Sequence, residues 1–277
     1  MRPLPAPLWA LVEARVGPVG AVADRSWAHG VSRVWRVEAG GAPVWVKQHT
    51  QPRKYRQEAR AYREVVPALA RAGVTVPSAL VLDDALCALV LTEVRGEPAD
   101  EADPAVHRGA GAAVRVLHAL PYVDDDPLPL AEAVRARFER WAEEAEGIVT
   151  PSVVAAVGER LDPAAFAGAT RCWCHRDWSP RNWLVVDGRV GMLDFEHCLP
   201  DLWLLDLVKL ADGIWRRHPG TRAAFLAGYG VAALTAREAD QLERLLWLHA
   251  LGTTVWGAAH GDPAYEAHGR RLLSELA

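Results

Sequence analysis

The chain has 277 residues, 51% of them hydrophobic, with 31 Lys and Arg against 35 Asp and Glu for a net charge of -4. That balance, with no long basic stripe, argues against a nucleic-acid binder, and no uninterrupted apolar stretch approaches the roughly 20 residues of a membrane span. Pro3, Pro5 and Pro7 break the N-terminal segment, so it is not the apolar region of a secretory signal, and four cysteines without a secretory framework imply reduced thiols in a cytoplasm.

Segments 19–28 and 31–38 read as short strands around the turn Trp27-Ala28-His29-Gly30-Val31-Ser32, where Gly30 and Ser32 can let backbone N–H groups approach phosphate. Ala39-Gly40-Gly41 turns the chain into a third strand, Pro43 to Gln48. Alternation there puts Val44 and Val46 on one face and Trp45 and Lys47 on the other. Residues 53–72 carry a helical pattern closed by Gly73 and followed by Pro77. Four residues back from Tyr62 on its inward stripe lies Glu58, whereas Glu64 points about 120° away. Glu58 is therefore aimed at the sheet that carries Lys47, and an ion pair between the two is expected. Segments 79–83 and 86–93 read as another hairpin, after which Thr92-Glu93-Val94-Arg95-Gly96 leaves the sheet. From Asp103 the pattern is helical over 104–119, 130–146, 151–160, 201–217, 220–229, 235–258 and 262–276. The change of pattern near Val94 divides the chain into 1–94 and 95–277.

Most of the functional information lies between Cys174 and Phe195. Asp187-Gly188 sits between two apolar-rich runs, the strongest short-range signal for a two-residue hairpin. In that register Val186 pairs with Arg189 and Asn182 stands opposite Leu193, so Asn182 and Asp194 meet at the open end. A carboxamide oxygen and a carboxylate held together suit Mg2+, which borrows its other ligands from water and nucleotide phosphates. Asp177, five residues before Asn182, is left to orient and deprotonate a hydroxyl. Lys47 suits the alpha and beta phosphates of a nucleotide, with Glu58 holding the lysine in place. This is the division of labour of phosphoryl transfer.

His175-Arg176-Asp177 with Asn182, then Leu193-Asp194-Phe195-Glu196, resembles the aminoglycoside phosphotransferase and choline kinase branch of the protein-kinase-like fold. The resemblance implies an α+β, two-lobed fold: a small antiparallel-sheet N-lobe with one key helix that binds nucleotide (1–94), and a larger, mainly helical C-lobe for catalysis and acceptor binding (95–277). It implies Asp177 as catalytic base, Asn182 and Asp194 as magnesium ligands, and His175 as a brace for the loop. It also implies a phosphate-binding element at Gly30 and Ser32, and a hinge at Glu93 and Val94 whose backbone holds the adenine edge. Asp206, in an apolar stretch, then accepts hydrogen bonds from the catalytic loop. Two departures stand out: the family usually has Gly at Arg176, and Glu196 occupies the place of the third residue of the protein-kinase Asp-Phe-Gly motif. Glu at that place is common in small-molecule kinases.

The expected reaction moves the gamma phosphoryl group of ATP or GTP, with Mg2+, to a hydroxyl of an amine-bearing small molecule. Glu196 and Asp201 are expected to attract a cationic amine, with Trp215 and Trp256 among the aromatic residues able to cap it. An amino-sugar antibiotic, a choline-like amine, an amino alcohol and a sugar all stay open as acceptor, for a monomer or homodimer acting without nucleic acid or membrane. A protein kinase fits less well, because there is no Ala-Pro-Glu element and only five residues separate Phe195 from Asp201. A non-catalytic nucleotide-binding scaffold would be expected to lack one of Lys47, Asp177, Asn182 or Asp194. Zinc held by Cys172, Cys174, His175, His197 and Cys198 is disfavoured, since Cys172-Trp173-Cys174 reads as alternation along a strand.

Overall fold

The computed structural model describes residues 3–27, 30 and 32–277. Two compact units emerge, one built from residues 1–100 and 180–199, the other from 101–179 and 200–277. The chain thus leaves the first unit and returns to it with the segment that carries Asn182 and Asp194, a division invisible to a linear reading of patterns.

In the first unit, strands β1 (Val19–Asp24), β2 (Ser32–Ala39), β3 (Ala42–His49), β4 (Ala79–Asp83) and β5 (Ala88–Thr92) form an antiparallel sheet in the order β1-β2-β3-β5-β4. One face packs Trp35, Val37, Val44, Val46 and Val90 against Leu8 and Val12 of the helix Ala6–Arg15. The sequence reading missed that helix because prolines dominate its start. Pro7 sits in the first turn, where its missing N–H costs nothing. The expected helix 53–72 appears as Pro52–Glu64 and Val66–Arg71. Pro67 explains the interruption: it has no N–H to donate to the preceding turn. The hairpin Trp183–Val186 and Arg189–Met192 forms in the expected register, Val186 opposite Arg189. Asp187 (φ 49°) and Gly188 (φ 73°) supply the two left-handed residues that such a turn requires.

The second unit is mainly helical. Its longer helices are Pro104–His118, Leu130–Glu144, Pro151–Arg160, Pro219–Tyr229, Ala236–Ala259 and Pro263–Leu276. Pro104–His118 and Pro219–Tyr229 touch backbone to backbone: a Cβ added at Gly111 would lie 2.1 Å from the Phe225 carbonyl oxygen, and one at Gly228 1.9 Å from that of Arg108. That closeness brings the two C-terminal residues, His118 and Tyr229, within a hydrogen bond of 3.0 Å. The expected helix 201–217 is the largest departure. The segment opens with a strand, Leu199–Asp201, paired with Cys172–Cys174, and turns helical only at Leu205, with a π-helical stretch at Leu210–Ile214. Among the described residues, no helix is long and apolar enough to cross a membrane.

Candidate active site

The first unit gathers charge around one lysine. Lys47 Nζ lies 3.0 Å from Glu58 Oε2, 2.8 Å from Asp194 Oδ1 and 2.9 Å from Glu196 Oε2. Burial works against the ammonium, but the carboxylates of Asp194, Glu58 and Glu196 prevail and hold its pKa well above the ordinary value. Burial likewise works to raise the Glu196 carboxyl, yet Lys47 brings it below the usual range. One ammonium facing three carboxylates leaves an excess of negative charge, offset in part by Lys54, 4.0 Å from Glu196 Oε1.

Each charge is placed by its element. Strand alternation puts Lys47 on the face opposite Val44 and Val46, and Glu58 comes from the helix Pro52–Glu64. The same helix anchors the segment after the hairpin: Gln57 Nε2 donates to the Glu196 carbonyl at 2.7 Å, and Tyr62 meets the Phe195 ring edge-on at 5.8 Å. The hairpin extends one pair beyond its ladder, with Leu193 N–H donating to the Asn182 carbonyl at 3.0 Å. Asp194 then adopts a left-handed conformation, φ 60° and ψ 78°, which costs a non-glycine residue roughly 1–2 kcal/mol. In it, Oδ1 receives both Lys47 and the Glu196 N–H.

His49 is a participant that sequence reasoning overlooked. Its Nε2 lies 2.6 Å from Glu58 Oε2 in a fully buried position. Period two along the strand was the available signal, because residue 49 shares the face of residue 47. At the expected phosphate-binding turn, Gly30 N–H donates to the Trp27 carbonyl (3.2 Å) and Ser32 Oγ to Glu196 Oε2 (3.3 Å). Ala28, His29 and Val31 lie outside the described residues. The Glu93 carboxylate is taken by Arg36, 2.7 Å from its Nε, and that bond lowers its pKa.

The second unit holds the loop after the strand Cys172–Cys174. Asp206, fully buried, accepts from the His175 N–H at 2.8 Å, from the Arg176 N–H, and from His118 Nε2 at 2.9 Å. Arg176 has φ 62°, a left-handed backbone of the kind that favours glycine. The buried ring of His175 packs on Trp178 at 5.3 Å. Asp177 is itself 2% exposed, and its Oδ1 is bonded to Lys209 Nζ. Lys209 was not anticipated. It stands three residues after Asp206 in a helical turn, so an Asp206 directed at the loop brings Lys209 to the same side.

The four residues expected to meet the acceptor each have partners within the protein. Glu196 belongs to the Lys47 cluster. Asp201 is 2% exposed and bonded to Arg137, with Arg176 Nε at 3.4 Å. Trp215 is buried edge-on against Phe225 at 5.6 Å, and Trp256 stacks on His260 at 4.2 Å. Both carboxylates thus face cations of the protein, and both rings pack on its own side chains.

The fold has counterparts among solved structures. The fold aligns with a gentamicin complex of APH(2")-IIa at 15% identity and a TM-score of 0.75, covering 99% of this chain and 97% of that one. It aligns with a thermostable mutant of the aminoglycoside phosphotransferase APH(4)-Ia at 15% identity and 0.75, covering 97% of each. It also aligns with the macrolide 2'-phosphotransferase MphH from Brachybacterium faecium at 19% identity and 0.67, covering 96% of each. Comparison with curated protein sequences finds no match. The model of the phosphotransferase enzyme family matches residues 26–243, most of the chain, and the protein belongs to that family, with its kinase-like fold of a small antiparallel-sheet lobe and a helical remainder.

Proposed function

We propose that the protein transfers the gamma phosphoryl group of ATP or GTP to a hydroxyl of a small molecule, an amino-sugar antibiotic or a related amine-bearing alcohol. The observation that carries this reading is the Lys47 ammonium fixed 3.0 Å from Glu58 and 2.8 Å from Asp194. A lysine so held is a positioned cation for nucleotide phosphates, and its placement spends no side-chain freedom at the moment of binding. Family membership supports transfer of a phosphoryl group, and complexes of relatives with small-molecule antibiotics favour that class of acceptor.

The donor set fits a hard cation. Asn182 and Asp194 offer a carboxamide oxygen and a carboxylate, and the excess negative charge around Lys47 favours a divalent ion. When bound, Mg2+ supplies neutralisation of charge on the phosphates. The protein's own part is positional. Lys47 draws the phosphates, Glu58 and His49 keep the lysine in place, and Asp206 sets the backbone of the loop from which Asp177 orients the acceptor hydroxyl and takes its proton. Lys209 holds the Asp177 carboxylate for that task.

The test is consumption of ATP and of GTP, with Mg2+, across a panel of amino sugars, macrolides, amino alcohols and simple sugars. Acceptor-dependent consumption restricted to a chemical class supports the reading and names the class. Nucleotide binding without consumption for any acceptor favours the scaffold instead.

A further inference from the structure

Two groups of metal-ligating side chains come together among the described residues: His49 with Glu58 and Glu196, and His118 with Cys172 and Cys174. The first surrounds Lys47 and belongs to the site already described. The second takes no part in the chemistry above. We propose that Cys172, Cys174 and His118 form a binding site for a thiophilic d10 cation, Zn2+ in the first instance.

The sequence argued against zinc at these cysteines because they alternate along a strand. The structure keeps the alternation and turns it into the opposite argument. Residues i and i+2 of a strand project from the same face, and Cys172–Cys174 is such a strand. The sulfurs stand 3.8 Å apart. Two thiolates bound tetrahedrally to Zn2+ at about 2.3 Å are separated by about 3.8 Å. A His118 ring nitrogen lies within 4.8 Å of both sulfurs. The third donor thus comes from a distant helix, held there by the contact of Gly111 and Gly228 with the facing backbones.

The imidazole is set up for ligation. Its Nε2 meets Asp206 Oδ2 at 2.9 Å, and a carboxylate only accepts, so Nε2 carries a proton and, in the neutral ring, Nδ1 offers its lone pair. A histidine whose other nitrogen donates to a carboxylate is the usual partner arrangement at zinc, since it fixes ring and tautomer. Nδ1 lies 3.0 Å from the Tyr229 hydroxyl, and the thiols donate to the Asp201 carbonyl, Cys172 Sγ at 3.9 Å and Cys174 Sγ at 3.3 Å. Binding exchanges these bonds for bonds to the ion, with the two thiol protons released to solvent. The fourth position falls to the Tyr229 oxygen or to a water.

The site adjoins the loop that carries Asp177. Cys174 directly precedes His175, and Asp206 accepts from His118 and from the loop backbone together. An ion here would tie strand, helix and loop at one point and raise thermal stability. The binding itself does not depend on which reaction the protein catalyses.

The experiment uses the full chain, reduced with a non-thiol phosphine and stripped of metal, titrated with Zn2+ against a chromophoric chelator and, separately, with Co2+. One equivalent should bind. Co2+ should give a sulfur-to-cobalt charge-transfer band and intense tetrahedral d–d bands, and the melting temperature should rise. Losing an outer partner of a zinc ligand costs about 10–100-fold in affinity, so C172A, which removes a ligand, should cost at least that. H118Q should behave alike. Cys172 is partly exposed, so C172A is expected to fold, and the melting temperature of its metal-free form checks this. No binding by folded wild-type protein, a cobalt spectrum without the charge-transfer band, or affinity unchanged in both variants would overturn the proposal.

Discussion

Replacing Asp206 by asparagine removes charge and one acceptor while keeping the volume. Three donors converge on this carboxylate: the His175 and Arg176 N–H groups and His118 Nε2. An amide has one oxygen and one NH2, so in either orientation at least one buried donor faces another donor. An unsatisfied buried donor costs about 1–3 kcal/mol, and weakening the remaining charge-assisted bonds adds about 1 kcal/mol each, for a total of about 3–5 kcal/mol. At about 2–4 °C per kcal/mol for a chain of this size, the melting temperature should fall by roughly 6–20 °C. Scanning calorimetry reads that shift. Steady-state kinetics with an accepted substrate should show reduced kcat, because the loop holding Asp177 loses its anchors. Nucleotide affinity should stay within about threefold, since no altered bond touches the Lys47 cluster. A melting temperature within about 2 °C of wild type together with unchanged kcat would refute the assignment of Asp206 as the anchor of this loop.

Other perturbations separate the remaining roles. Asp194→Ala should weaken binding of nucleotide in the presence of Mg2+ far more than in its absence, read by paired calorimetric titrations; equal loss in both would remove Asp194 from the metal site. Lys209→Met deletes a charged hydrogen bond to Asp177, about 1.5–3 kcal/mol, and should lower kcat by about ten- to a hundredfold with nucleotide affinity preserved. An unchanged kcat would make that contact incidental. Asp212 joins three elements, receiving His249 Nε2 at 3.2 Å and His268 Nε2 at 2.7 Å. Its hydrogen bond to Asp212 raises the His268 pKa above 6.5, so that stabilisation is full below pH 6.5 and fades as pH rises through the folded-state value. Burial works to raise the Asp212 carboxyl, but the two histidines bring it below 3.8, so its contribution is present above pH 3.8 and fades as pH falls through the lowered value. The melting-temperature gap between wild type and His268→Gln should accordingly be widest near pH 5.5, approximately, and narrow on the alkaline side. A gap that widens with rising pH would contradict the ion pair.

What the sequence disclosed and what it hid follow from how far each signal reaches. The hairpin at Asp187-Gly188 was legible because turn chemistry and alternation are local, and they fixed the pairing of Asn182 with Leu193 without coordinates. Lys47 and Glu58 were legible because strand and helix periods each select a face. The helix Ala6–Arg15 was hidden because prolines mask a start that they permit. The interruption at Val65 hinged on Pro67, a residue inside an otherwise unbroken helical pattern. Long-range pairing was beyond reach. The acidity of Glu196 and Asp201 suggested a substrate amine, but whether a carboxylate meets a ligand or an internal cation depends on residues as remote as Lys47 and Arg137. His118 reached Cys172 and Cys174 by the same kind of distant convergence.

The most direct test of phosphoryl transfer through Asp177 is the mass of the acceptor after incubation with nucleotide, Mg2+ and either wild-type protein or Asp177→Asn. Wild type should add one phosphoryl group to an accepted alcohol. The variant should do so about 10²–10⁴-fold more slowly, the usual contribution of a positioned base, while binding nucleotide normally. Equal phosphorylation by the two proteins would contradict the account.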